Sequence, residues 1–581
     1  MANYARLLQV ALGDEPADLV IRNGHLLNVI TREVYPATVG ICEDTIAYVT
    51  APDDPKCLGR DTIDAKGMWL SPGLIDSHMH IESTHVTPEH FANAVLPLGI
   101  TTVAADPHEI ANVMGVAGVD YMRHACRGLP LRVLFFVPTC VPSVPALETA
   151  GAVFLAEDVN ALLDDPDTIG LAEVMDYWGV IRQSPRISEI VEAGRQRGVI
   201  LTGHIRGLGG RELNTYLAAG INSDHEFLSP QGILERTRLG MTVEIRCLAH
   251  GDNIKEAVEC WRQRGRLDEV VFVTDDIPPQ ELVAHGHLDR GVRRAIALGM
   301  SPVDAVRAAT LTPARRLRQY DLGAIAPGFK ADVLVLRDLL SFEVHSTLCS
   351  GRVVARDGKM LEPALAQQSP PKAALESVRL TPPAADDLAL RYPGAAVRAR
   401  ILLDRGKDLE ERVIHIVNGA VAWREQGDLA LAVVWHRHGQ NANRGAALLG
   451  GSGLETGALA TTYTHDCHNL VAIGRDPQDM AVAIGALVEA GGGYVAVADG
   501  QVRALAPLPV AGILAQKSVP ELARDFEAFV SAAKAMGVDE NPIGLLTSLA
   551  LPVVPRYRLT DMGLADVERQ VIIPAFEPVE G

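Results

Sequence analysis

The chain of 581 residues contains no Cys-x-x-Cys pair, although it has eight cysteines. Cys42, Cys57, Cys126, Cys140, Cys247, Cys260, Cys349 and Cys467 are scattered. Such spacing argues against a disulfide framework and predicts structural free thiols in a reducing, cytoplasmic setting. No uncharged apolar run approaches membrane-spanning length, and the N-terminus lacks a charged-then-apolar signal pattern, so no membrane association is expected. Positive charge is also short. Fifty-three Lys and Arg face 72 Asp and Glu, a net charge of −19 that disfavours nucleic acid as a partner but admits an uncharged small molecule. Aromatics are 5% against 48% hydrophobics, the balance of an Ala/Val/Leu-rich α/β protein. The length suggests about two to four domains.

Short alternating apolar runs at 18–22, 37–41, 45–50 and 67–70, punctuated by Gly, Asp and Pro, predict an antiparallel β unit. The pattern returns at 331–336 and 352–355, so one small β-domain is expected in two pieces, 1–70 and 322–360. Between them, eight strand-like runs alternate with helical stretches, at 74–80, 100–106, 132–138, 169–173, 199–204, 221–225, 241–246 and 270–275. Helices are predicted at 188–197, 210–219 and 253–264. Eight β/α units over residues 71–321 predict an α/β fold of the (β/α)8, TIM-like barrel type. Residues 361–378, rich in Pro, Ala and Gln, read as a linker. Residues 379–581 read as an additional C-terminal α+β domain, with strands at 412–417, 429–435, 470–473 and 493–497 and helices at 479–490 and 519–536.

The stretch from Pro72 to His80 ends in His78-Met79-His80. Residues i and i+2 on a strand share a face, so both imidazoles can aim at one point. Five of the seven further runs also end in a polar residue of metal-ligand type: Asp106, Glu173, His204, His225 and Asp275. In such a barrel all C-terminal strand ends meet at one mouth, where active sites sit.

Several blocks then carry a resemblance. They are residues 72–83, 101–115 with its Asp106-Pro107-His108-Glu109 core, 170–176, 203–210, 224–226 and 274–276. The C-terminal part adds 455–460, His465-Asp466-Cys467-His468-Asn469 and the glycines 491–493. Across nearly its whole length the sequence closely resembles prokaryotic adenine deaminases of the amidohydrolase superfamily. The resemblance implies hydrolysis of adenine to hypoxanthine and ammonia by metal-activated hydroxide attacking carbon 6. It implies two divalent metal ions per chain, manganese or iron rather than zinc, although imidazole and carboxylate ligands suit all three. His78, His80 and Asp275 would hold one metal and His204 and His225 the other. Glu173 would bridge them, where many superfamily members carry a carboxylated lysine. Self-association as a dimer is a further family expectation.

The implied chemistry needs proton transfer beside the hydroxide. Glu173 and Asp275 are the carboxylates placed for it, with His225 alongside and Asp106 a further candidate. Asp106 also fits a helix start, with Pro at the first position and Glu109 reaching back in a capping box. His108, Glu109 and Glu82 fit a shell around the metals. The alternative activity on such a scaffold is hydrolysis of a cyclic amide, an N-acyl group or a related 6-substituted purine. Glu173 and the 106–115 block count against it, and the missing Pro-Cys-x-x-Cys signature counts against the zinc cytidine-deaminase class. His465, Asp466 and His468 resemble a second metal cluster but read rather as internal hydrogen bonding or an edge contact with the barrel. His436 and His438 read as surface strand residues and the 491–493 glycines as a turn.

Overall fold

The computed structural model describes residues 3–247, 252–538, 541–554 and 556–579. Among them, eight parallel strands follow in chain order: β1 (Leu74–Met79), β2 (Ile100–Ala105), β3 (Arg132–Val137), β4 (Thr168–Val174), β5 (Ile200–Gly203), β6 (Ser223–Asp224), β7 (Thr242–Arg246) and β8 (Val270–Val273). They form two arcs, β1 to β5 and β6 to β8, each in sequential order. Backbone bonds span both gaps. Asn222 N donates to Leu201 O (3.3 Å), and Asp275 N donates to His78 O (3.1 Å).

All eight predicted runs have a counterpart, and most of their apolar residues are buried. The intervening helices follow the forecast closely, as Pro185–Arg197, Gly210–Ala218 and Ile254–Arg264. The first of these has Pro at its start and stops at Gly198 (φ +65°), a conformation that favours glycine.

A nine-stranded sheet combines strands from Ala17–Asn28 to Trp69–Pro72 with strands from Val333–Asp338 to Lys359–Met360. It is mixed rather than antiparallel. The long strand Ala17–Asn28 pairs in parallel with Gly59–Asp64 and with Trp69–Pro72. Thr45–Thr50 is the edge strand beyond Glu33–Cys42, and after it the chain crosses back to the far side of Ala17–Asn28, where Gly59–Asp64 and Trp69–Pro72 run the same way as that first strand. Gly59–Asp64 was not legible in sequence because its residues are mostly polar and partly exposed.

The C-terminal region holds a ten-stranded sheet, a three-stranded sheet (Tyr557–Thr560, Gly563–Asp566, Val571–Ile573) and two long helices, Pro477–Ala490 and Val519–Ala535. The second helix starts at a capping box, with the Ser518 backbone N–H donating to Glu521 (3.0 Å). Its buried residues Val519, Leu522, Ala523, Phe526, Phe529 and Ala533 follow helical spacing. This stripe shares one hydrophobic core with Val86, Phe91 and Val95, which follow β1. Phe526 stacks on His85 with ring centroids 5.0 Å apart. The C-terminal region is thereby fastened beside the strand ends that carry the histidines.

Two local expectations fail. His436 and His438 are buried rather than on the surface, because they face the 139–151 segment of the barrel region and the 462–469 loop. His436 Nδ1 lies 3.0 Å from Thr149 Oγ1, and His438 Nε2 2.9 Å from Cys467 O. The capping box at 106–109 does not form. The helix His108–Met114 does begin there, and Asp106 Oδ1 accepts from His108 N (3.1 Å). Glu109, however, turns away to partners on the C-terminal loop.

Candidate metal centre

Strand geometry delivers the side chains. His78 lies on β1 and His80 just past it, with imidazole centroids 5.2 Å apart. Their Nε2 atoms both stand 3.2 Å from Asp275 Oδ1. Asp275 follows β8 with φ +60°, an uncommon conformation for a residue with a side chain. It is held by the bond from its own N–H to His78 O and by one from His80 N–H to its carbonyl (3.4 Å).

Asp76, two residues before His78 and fully buried, accepts from Thr274 Oγ1 (2.6 Å), Thr274 N (3.2 Å) and His78 N (3.3 Å). Burial pushes its pKa up to about 7 against those donors. Asp76 and Thr274 thus lock β1 to β8 directly beneath the histidines. Sequence reasoning passed over both, since a buried Asp facing a Thr nearly two hundred residues away leaves no local pattern.

Glu173 on β4 faces the same space. Its Oε2 lies 2.9 Å from His204 Nδ1 and 3.2 Å from His225 Nε2, and its Oε1 lies 3.5 Å from His80 Nε2. The two ring nitrogens of His204 and His225 are 3.1 Å apart. His78 stacks on His225 at 4.1 Å. Six of the seven residues singled out in sequence therefore converge directly. Asp106, the seventh, lies beside the cluster with its carboxylate engaged by His108 (Nδ1 to Oδ2, 3.0 Å). Asp276, next in sequence to Asp275, accepts from Ser83 and keeps a carboxylate oxygen within 4.8 Å of ligand atoms of His80 and Asp275.

The donor set fits divalent cations. All six residues are at most 7% exposed. His80 Nδ1 lies 3.0 Å from Asp106 O and donates to it, which turns Nε2 toward the carboxylates. His225 Nδ1 is buried with no hydrogen-bond partner among the described residues. Nitrogens and oxygens 2.9–3.5 Å apart match the roughly 3 Å spacing of atoms that share a cation at about 2.1 Å.

Electrostatics agree. Burial alone would raise Glu173, but the imidazoles of His225 and His204 outweigh it and hold the carboxyl well below its ordinary value. For Asp275, His225, His78, His80 and Arg246 do the same. Burial opposes charge on His225, yet Asp275 and Glu173 raise its pKa to about 10. A field that retains protons this strongly also favours metal cations, which compete for the same lone pairs.

Two charged residues beside the cluster had no role assigned from sequence. Arg246 Nη1 lies 3.1 Å from Asp275 Oδ2. Glu226 lies 3.3 Å from His204 Nε2 and 2.9 Å from Arg206 Nε. Burial raises Glu226, but His204, Arg246 and Arg206 overcome this and bring it down to about 2.

This frame is that of the amidohydrolase family, whose model matches residues 69–354. A second model, the adenine deaminase C-terminal domain, matches residues 407–571. The chain is 41% identical over 576 residues to adenine deaminase 2 of Rhizobium meliloti (strain 1021), covering 97% of this chain and 95% of that one. It is 40% identical over 583 residues to an adenine deaminase of Serratia proteamaculans (strain 568), covering 98% and 96%. The chain belongs to the adenine deaminase family. Among solved structures, a β-aspartyl dipeptidase from Fervidobacterium islandicum AW-1 matches 59% of this chain and 98% of that chain, at 19% identity and a TM-score of 0.44. That likeness is too distant to bear on activity.

Proposed function

We propose that this protein hydrolyses adenine to hypoxanthine and ammonia. The observation that carries the reading is similarity to adenine deaminases over nearly the full chain, the C-terminal domain included. We read the two arcs as one (β/α)8 barrel spanning 71–321. In this reading the small β-domain occupies 1–70 and 322–360, the linker 361–378 and the C-terminal domain 379–581.

His78, His80 and Asp275 would hold one divalent cation, His204 and His225 a second, and Glu173 both. When bound, such cations supply Lewis acidity that brings the pKa of water toward neutrality. The chain's own residues manage the protons. Deamination at carbon 6 moves one water proton to nitrogen 1 and the other to the departing amino group. We assign these transfers to Glu173 and Asp275, the buried carboxylates within the cluster. Asp106 and His225 support them, Asp106 by fixing His108 and His225 through its contact with Glu173 Oε2.

Manganese or iron is the metal this reading favours. A dimer is its assembly, to be checked by light scattering. Cytoplasmic location agrees with eight buried free thiols and with no described helix long and apolar enough to cross a membrane.

The test is adenine turnover by protein produced with iron chelated and manganese supplied, with Glu173→Gln alongside. Equimolar hypoxanthine and ammonia that vanish in the variant are expected. Absence of turnover in protein holding two metals per chain would remove adenine as the substrate and promote the cyclic-amide or N-acyl alternative.

A further inference from the structure

The loop 462–469 of the C-terminal domain reaches the rim of the metal centre. His465 Nδ1 lies 2.9 Å from Glu109 Oε1, and Tyr463 donates its hydroxyl to the same oxygen at 3.0 Å. His468 faces the other oxygen of Glu109. Glu109 is fully buried and belongs to the helix that follows β2. The other ring nitrogen of His465, Nε2, points back across the rim to Asp276 Oδ2, 3.9 Å away. Ligand atoms of Asp276, His80 and Asp275 lie within 4.8 Å of one another, so His465 stands one residue away from the cluster.

Exposure separates His465 from its neighbours. The six clustered residues are buried, whereas the side chain of Asp276 is 41% exposed and that of His465 19%. These two, with Arg246 and Arg206 on the other side, are the partly exposed groups beside the buried cluster. His108, which lies beside Glu173, is buried and already engaged by Asp106.

Resting on the deaminase reading, we infer that His465 is a substrate-binding residue supplied by the C-terminal domain. Its Nε2–H donates to a purine ring nitrogen other than nitrogen 1, while Glu109 fixes the ring through Nδ1–H. The chemistry is complementary. Unprotonated purine ring nitrogens are acceptors, and an imidazole clamped by a buried carboxylate presents a donor at fixed direction. Burial works against charge on His465, but Glu109 and Asp276 outweigh it and raise its pKa to about 10, so both nitrogens carry protons at neutral pH.

The experiment compares adenine, 3-deazaadenine and 7-deazaadenine with the metal-loaded wild type and with His465→Ala and His465→Gln. Both analogues retain nitrogen 1. Wild type is expected to lose roughly 10- to 100-fold in kcat/KM on one analogue, the effect of one hydrogen bond to a charged group. His465→Ala should lose a similar factor on adenine, mainly through KM, and show no further loss on that analogue. His465→Gln, which keeps a donor, should recover part of it. Metal content should match wild type, while the thermal midpoint of His465→Ala falls somewhat because buried Glu109 loses one partner.

Equal losses by His465→Ala on all three substrates would mean a structural role and overturn the inference. So would unchanged kinetics, or a wild type indifferent to both deletions. Wild-type turnover of adenine, measured in the same series, judges the deaminase reading separately.

Discussion

At the scale of single residues, the centre is built by crossing contacts. Asp275 receives His78 and His80 on one oxygen and Arg246 on the other. Thr274 beside it is the support. Replacing Thr274 by Val removes the 2.6 Å bond to buried Asp76 without changing side-chain shape much. The loss should be about 1–3 kcal/mol of stability, read as a lower urea midpoint, with lower metal occupancy by elemental analysis. An unchanged midpoint would remove Asp76 and Thr274 from the support.

His85 offers a pH test away from the metals. Burial lowers its pKa to about 3, and its ring lies 3.2 Å from Ile513 O. Unfolded histidine titrates near 6.5, so between about pH 6.5 and 3 the unfolded chain binds a proton that the folded chain refuses. Stability therefore falls as pH drops through that window, by up to about 1.4 kcal/mol per unit from this residue. His85→Asn should flatten the pH dependence between pH 6 and 4 by about one proton. An identical slope in variant and wild type would mean that His85 does not stay neutral in the fold.

At the scale of elements, the loop 462–469 depends on a buried guanidinium. Arg437 is fully buried, and burial lowers its pKa to about 9. It donates to the carbonyls of His468, Ser377 and Ala511, the last at 2.9 Å. It thus ties the end of the linker, the loop and the segment before the helix Val519–Ala535 into one unit. Arg437→Met leaves three carbonyls short of a donor and should cost about 3 kcal/mol or more. Activity should fall further than metal content does, because the loop meets Glu109 and not the six clustered residues. A proportional fall of both would tie the loop to metal retention instead.

At the scale of the whole molecule, bound metal should act as a stabilising ligand. The clustered imidazoles and carboxylates are held close in the folded chain and dispersed in the unfolded one, so metal binds the native state preferentially. Chelation should abolish turnover and lower the thermal midpoint, and manganese should restore both. A midpoint indifferent to chelation would mean that the cluster is held entirely by its own hydrogen bonds.

Much of this was legible in the chain itself. Alternation of apolar strands with helical stretches placed all eight parallel strands, and the ligand-type residues closing six of the runs marked where they converge. These signals are local, since period, burial and strand-end position follow from neighbouring residues. The mixed pairing of the small sheet was not legible, because strand direction depends on where the chain crosses before it returns.

Nor could spacing show that Glu109 forgoes a cap to meet Tyr463, 354 residues on, or that His436 and His438 are buried against the barrel region. Residue order determined which groups reach the strand ends. Only the packing of the C-terminal domain over that mouth decided which of its side chains border the site. The reason is physical: contacts between distant segments depend on how whole surfaces pack, and no local period encodes them.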